Sequence, residues 1–374
     1  MDNEEIVENF DSDEENENDL DNQEMDIEEE QIDLENRIYD SSIYNFNYVY
    51  NFFKTHNILK FQLRCPVCAE IMKITKDNAY IDKLCFRCKK NFPKHDEKKS
   101  IRSESFIENV RINLVAIYFL IIDCFIYNIS ANKAFIEYKK FNEIIEVGNL
   151  SLNNIQKFYR LIRNNIKVKM HKEWKKSLLG VEPCTGGVPR VEIDESKIIG
   201  NSEKVYYMFG IIDRSNKNCR VFCVMDNRSR ESLLPIIKNN VATVMDIKEI
   251  RYESQEDIHK YCMSTRIYSD CWAAYQPNDF KEYGFLLHRV NHSQWFGRGS
   301  FHTNTIEGLW SQIKRLCNDF SGLNFNLLNN IEKLGINISD YLDDWICTSL
   351  YFRNCEKYKY NKIDKIKNLL NYLK

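Results

Sequence analysis

VEIDESKIIG (191–200), KVYYMFGIIDR (204–214) and CRVFCVMD (219–226) follow one another with only short polar breaks. Each run is rich in β-branched and aromatic residues and each break is turn-like, so three strands in close succession are expected. A helix-like run, SRESLLPIIKNNV (229–241), comes next, and then a further β-like run, RIYSD (266–270). Strands, a helix and another strand make an α/β pattern. Upstream, EPCTGGVPR (182–190) packs two Gly and two Pro into nine residues and reads as a linker. Beyond Ser321 and Gly322 the chain looks helical to a Lys-rich end.

The bulk numbers agree with an ordered body carrying an unusual leader. A chain of 374 residues with 43% hydrophobic content has room for two or three domains with real cores. The net charge of −3 conceals segregation: residues 1–36 hold 18 of the 55 acidic residues and no Lys or Arg, leaving 37 acidic against 52 basic side chains from residue 37 onward, a net of +15. A basic body with an acidic tail suits a nucleic-acid binder, and the tail could lie on the basic surface and compete with DNA; a merely solubilising disordered segment is the plainer reading. The acidic start is unlike a signal peptide. The most apolar stretch, LVAIYFLII (114–122), has nine residues. About twenty are needed to span a bilayer, so a buried helix and no membrane partner are expected.

Thirteen cysteines point to a reducing compartment. Four of them, Cys65, Cys68, Cys85 and Cys88, form C-x2-C-x16-C-x2-C. Two thiolate pairs brought together across a hairpin would select one structural Zn²⁺ in a closed tetrahedral site. Arg64, Lys83, Arg87, Lys89, Lys90 and Lys94 rim this candidate zinc ribbon and make it a candidate DNA contact, beside the alternative that it only stabilises its neighbour. The other nine cysteines are expected as free core thiols.

Residues 101–180 read as helical, with apolar spacing near 3.6 through FIENVRINLVAIYFLIIDCF (106–125) and NLSLNNIQKFYRLIRNNI (149–166), and Ser151 as an N-cap. A helix-turn-helix-like unit is expected here. Lys157, Arg160, Arg163, Lys167, Lys169 and Lys172 would meet DNA phosphates, or else form a solvated basic face.

Three acidic residues stand in distinctive settings: Asp194 in VEIDES, Asp270 in IYSDCW and Glu307 in HTNTIEGLW. The first two sit on or at the end of β-like runs and the third opens a helix-like one. If the two strands are adjacent, their carboxylates lie side by side, and Glu307 reaches them from a helix packed on the sheet. Separated carboxylates of this kind hold two Mg²⁺ (or Mn²⁺) ions against a phosphodiester, as in RNase H-like folds. Mutual repulsion disfavours three ionised groups at close range unless cations are present. Lys314, two helical turns after Glu307, faces the same way and could grip a phosphate beside the scissile bond. Asn304 could cap the helix or hold substrate, His302 is poised between site residue and loop anchor, and His292 could reach the site across a loop. Glu192, Glu195, Asp213 and Asp226 are expected at surfaces or turns, His288 as a packing residue, and Trp272 and Trp310 in the core.

VEIDES, IYSDCWAAY, RVNHSQWF and especially FHTNTIEGLWSQIKR resemble the DDE transposase domain of Merlin-type elements and their bacterial insertion-sequence relatives over roughly residues 188–350. The resemblance implies Asp194, Asp270 and Glu307 as the metal-binding triad, Lys314 as a substrate contact, and cut-and-paste movement of double-stranded DNA between terminal inverted repeats and a target. Two DNA ends held together imply at least a dimer. The division expected is an acidic tail at 1–40, a ribbon with an aromatic lead-in at 41–100, a helical DNA-binding segment at 101–182, an RNase H-like α/β catalytic domain with a mixed sheet flanked by helices at 188–356, and a basic helix at 357–374. The location expected is the nucleus in a eukaryote and the cytoplasm otherwise. A domesticated, non-mobile DNA-binding descendant and an RNase H-like repair nuclease are the alternatives.

Overall fold

The computed structural model describes residues 39–90, 95–181, 188–200, 204–225, 228–243, 265–270, 275–290, 302–319, 325–333 and 335–374. The acidic tail, Lys94, Asp226, Trp272, His292 and most of the 182–190 linker lie outside them.

Helix α1 (Phe46–Thr55) begins at Asn45, whose side chain accepts from the Tyr48 N–H, and buries Val49 and Phe53. An antiparallel three-stranded sheet follows: β1 (Lys73–Lys76), β2 (Leu84–Cys88) and β3 (Glu97–Ser100), in that order. The Arg102 guanidinium, 1% exposed, pairs with buried Asp82 and donates to the Val110 carbonyl, tying the β1–β2 loop to the chain after β3.

Every residue of LVAIYFLII is buried, as the sequence leads one to expect. It opens as α2 (Leu114–Phe119), passes into a π-helical turn (Leu120–Cys124) and ends in a 3-10 turn at Asn128, φ +59°. Among the described residues no helix is long and apolar enough to cross a membrane. Helices α3 (Ala131–Ile145) and α4 (Leu152–Trp174) come next. Ser151 caps α4 by accepting from the Asn154 N–H. The buried stripe Ile155, Phe158, Tyr159, Ile162, Ile166 and Met170 repeats every three to four residues, so one face of α4 is turned inward.

The second sheet has five strands: β4 (Arg190–Gly200), β5 (Val205–Asp213), β6 (Cys219–Met225), β7 (Arg266–Ser269) and β8 (Leu286–Arg289). Their order is β6-β5-β4-β7-β8, with β4, β5 and β6 antiparallel and β7 and β8 parallel to β4. The strands alternate faces with period two. Val191, Ile193, Phe209, Ile211 and Ile267 point to one side, where Leu233, Leu234 and Ile237 of α5 (Arg230–Asn240) and Phe280 of α6 (Pro277–Glu282) cover them. Glu192, Asp194, Gly210, Val221, Cys223 and Tyr268 take the opposite face. Helix α7 (Asn304–Asp319) lies there, with Ile306, Leu309, Trp310, Ile313 and Leu316 buried. After α8 (Phe325–Lys333), helix α9 (Ile338–Lys357) is buried on nearly all sides. Its Asp343 accepts from the Cys223 N–H at 2.9 Å, and Arg353 reaches Gln312 of α7 at 3.0 Å. Helix α10 (Lys362–Tyr372) closes the chain. The protein is thus a mixed α/β structure with helices on both faces of a five-stranded mixed sheet.

The π-helical turn carries a buried carboxylate, Asp123, which accepts from the Tyr44 hydroxyl and lies 3.6 Å from the Lys362 ammonium. The described cysteines are all free thiols, and Cys124, Cys347 and Cys355 are buried as expected.

Candidate functional site

Cys65, Cys68, Cys88 and His95 put three sulfurs and one imidazole nitrogen within 4.8 Å of one another. The Cys68 and Cys88 sulfurs are 3.6 Å apart, and His95 Nε2 lies 3.1 Å from Cys65 and 3.7 Å from Cys68. The edges of a tetrahedral zinc site with ordinary Zn–S and Zn–N bonds are about 3.5–3.8 Å, so this donor set fits one Zn²⁺. The expectation of four thiolates is corrected here. Cys85 and Cys88 are three residues apart in the extended strand β2, so their side chains leave opposite faces. Cys85 turns away to lie 3.4 Å from Thr75 Oγ1, its partner across the sheet, and His95 supplies the fourth donor. Cys65 and Cys68 converge because the chain between them turns, with Ala69 N–H bonded back to Cys65 O and Ala69 at φ +58°. Desolvation pushes the Cys65 thiol up, but the N–H groups of Cys68 and Val67 and the Cys68 and Cys88 thiols outweigh it and bring it down to about 7. Of the basic rim, Arg87 pairs with Asp96 and Lys90 with Glu70.

The second cluster is built on β4. Glu192 pairs with Tyr268 in the parallel register, so Asp270, two residues further on, comes level with Asp194 on the same face. Helix α7 brings Glu307 to that face. Both charges reach Asp194: desolvation lifts its pKa first, the Trp310 indole lowers it, Asp270 raises it, the Glu195 N–H lowers it and Glu307 raises it, leaving it at about 6. The Trp310 indole N–H donates to Asp194 Oδ2 at 2.7 Å. Thr303 Oγ1 donates to Glu307 Oε1 at 3.1 Å and orients that carboxylate at the head of the helix. Carboxylate oxygens are the donors that a hard divalent cation such as Mg²⁺ takes, but among the described residues only Cys65, Cys68, Cys88 and His95 have their ligand atoms gathered within 4.8 Å.

Residues expected at the surface hold this arrangement. Glu192 is fully buried, takes the Arg214 Nε–H at 2.6 Å, and accepts the Ile306 N–H at 2.9 Å. That N–H is one of the four unpaired donors at a helix start, so β4 itself caps α7. Arg214 in turn lies 3.9 Å over the Tyr268 ring and donates to the His302 carbonyl. Asp213 is also buried, accepting from Gly180 N–H and from Ser215. Glu195 is half-buried on the other face, and desolvation first, then the Asp194 and Asp270 charges, against Arg228, push it up to about 8. Sequence reading missed these roles because partners such as Ile306, distant along the chain, decide them.

Asn304 begins α7, exposed, and the cap expected of it comes from Glu192 instead. Desolvation and then Arg214 hold the His302 pKa below its usual value. The neutral ring accepts the Asn304 N–H on Nδ1 at 3.3 Å, so its 3.7 Å approach to Glu192 is no ion pair. His288 packs against Tyr268 in a stack 5.0 Å between ring centres. Lys314 is exposed on the side of α7 that also shows Glu307 and Ser311.

The DNA-facing role expected of α4 is corrected for two side chains. Arg163 is buried with its guanidinium 4.4 Å over the Trp345 ring, and Lys167 is buried 2.8 Å from Asp344. Arg160 is half-buried near Tyr341 at 6.0 Å. This edge of α4 is the seam with α9.

No family model and no curated protein matches the chain. Among solved structures, the chain is similar at 11% identity and a TM-score of 0.25 to a chain of the simian T-cell lymphotropic virus intasome in complex with PP2A regulatory subunit B56 gamma. That match spans 63% of this chain and 64% of the other, just under two thirds of its length. A likeness at that level establishes neither fold nor function.

Proposed function

We propose that the protein is a DDE transposase of the Merlin type, cutting and joining double-stranded DNA. The observation that carries this is that Asp194 and Asp270 stand level on neighbouring parallel strands and that the charges of Asp270 and Glu307 both reach Asp194, with exposed Lys314 two turns along the Glu307 helix. A sheet antiparallel on one side of β4 and parallel on the other, with helices on both faces, supports an RNase H-like catalytic domain at 188–356. Two Mg²⁺ ions, when bound, would supply Lewis acidity at the attacking oxygen and at the departing 3′ oxygen. The residues do the rest. Asp194, Asp270 and Glu307 would hold the ions, Thr303 orients the Glu307 carboxylate, and Lys314 would bind the neighbouring phosphate. Glu192 and Arg214 keep α7 in place against β4, so the geometry is set before substrate arrives. The Cys65–Cys68–Cys88–His95 zinc is structural, and the ribbon and helical segment hold the terminal repeats of two DNA ends within a dimer or larger assembly.

The test is Mg²⁺- or Mn²⁺-dependent cleavage and strand joining on duplexes carrying the element's own ends. Asp194→Ala should lose activity by at least about a thousandfold, in line with removing a ligand that positions catalytic charge. Undiminished cleavage by that variant would remove the proposal, and cleavage without joining would favour a repair nuclease.

A further inference from the structure

Gly210 of β5 faces Asp194 in register and has no left-handed backbone that would call for glycine. Its role is space. A Cβ at this position would lie 2.3 Å from Cη2 and 2.9 Å from Cζ2 of Trp310, and 3.3 Å from Ile306 Cδ1. The outer edge of the indole therefore occupies the notch left by the missing side chain, and from there its N–H donates to Asp194 Oδ2 at 2.7 Å. Trp310 is 5% exposed and has a single polar atom, a donor. A core tryptophan needs no carboxylate partner, and a carboxylate among like charges needs its orientation fixed from outside the cluster.

We infer that Trp310, seated in the Gly210 notch, is a positioning residue for cation binding: its N–H pins one oxygen of Asp194 and so sets the plane in which the carboxylate meets a divalent ion. This rests on the reading of Asp194 as a divalent-metal ligand. It adds a residue of α7, three positions after Glu307, that would act on the ion through Asp194.

The experiment uses the full chain with its zinc retained and Mn²⁺ as probe, with binding read from the free-ion electron paramagnetic resonance signal. Asp194→Asn tests the underlying reading and should abolish the tight site. Trp310→Phe keeps the ring and removes the donor; about a tenfold weaker affinity is expected, the scale of one charge-assisted hydrogen bond. Trp310→His returns a ring N–H and should recover part of that loss, which a packing role would not produce. Gly210→Ala leaves both partners in place but displaces the indole, and should weaken Mn²⁺ binding to a similar degree; it serves as the second variant should the Phe protein fold poorly. Parent-like affinity in Trp310→Phe and Gly210→Ala, with Asp194→Asn inactive in binding, overturns the inference and spares the reading of the site. Equal losses in the Phe and His proteins also overturn it. Parent-like affinity in Asp194→Asn overturns both.

Discussion

The two candidate metal sites are assembled in opposite ways. The ribbon's donors lie between residues 65 and 95, on one turn, one strand end and the segment before β3, with only the local three-stranded sheet around them. The carboxylates lie between residues 194 and 307, on two parallel strands and a helix, with each placement fixed by partners elsewhere. A fold that small buries little of its own, so a zinc ion bound to these soft donors would supply much of its folding energy. Around Asp194 the sheet, α7 and the Trp310 and Thr303 hydrogen bonds set the side chains by packing, so a cation bound there would meet a fold already formed. One site should fail by unfolding and the other by losing chemistry.

The sharpest way to break that contrast is to remove a ribbon donor. His95→Ala should release the zinc and melt the ribbon, while Cys85→Ala should keep one zinc per chain. Structural zinc contributes about 10–16 kcal/mol to small domains, so the difference is large. Metal analysis after gel filtration, beside a thermal melt, reads it, and zinc kept by His95→Ala but lost from Cys85→Ala would reverse the ligand assignment. Next in size is the α4–α9 seam, which supports the sheet and not the ribbon. Lys167→Met strands the buried Asp344 carboxylate and should cost about 3 kcal/mol in denaturant unfolding with zinc content unchanged.

A smaller effect sharpens the carboxylate side. Asp194 has a folded pKa of about 6 against an ordinary 3.8. A raised carboxyl pKa means that the folded chain holds its proton more tightly. The ionisation penalty is therefore absent below about pH 4, appears as pH rises through 6, and is complete at pH 8. In metal-free buffer Asp194→Asn should stabilise the protein at pH 8 by about 3 kcal/mol and change it little at pH 4, as urea titrations at the two pH values will show. An equal effect at both would mean that charge is not what strains the site. The smallest change belongs to Lys314→Ala: no measurable loss of stability, and a fall of about 1 in the slope of log affinity for DNA against log salt. Arg163→Met should leave that slope unaltered, since its guanidinium is spent on Trp345.

How far the sequence could be read follows the same division. The strands from 191 onward, the Ser151 cap and the buried run at 114–122 were legible because period, turn residues and capping are local signals. So was the adjacency of the strand that carries Asp194 and the strand that leads to Asp270, which pair in parallel. The fourth ribbon donor was half legible, since a histidine follows seven residues after Cys88, but that β2 runs straight through Cys85 and Cys88 and parts their side chains is seen only in the fold. Arg163 and Lys167 were misread because only Trp345 and Asp344, far along the chain, reveal that their edge of α4 is a seam. Glu192 was misread for the same reason: a charge belongs at the surface until an arginine and a helix start are found waiting for it.

Asp123 has a practical consequence for anyone who trims the protein. Tyr44, just ahead of α1, and Lys362, at the start of α10, meet over that one buried carboxylate. A truncation from either side, whether to begin at the ribbon's first cysteine or to drop the closing helix, leaves it short of a partner where water cannot replace one. Such a shortened version would keep the Cys/His set and Asp194 and still be less stable than the longer chain, so an expression boundary belongs outside residues 39–374.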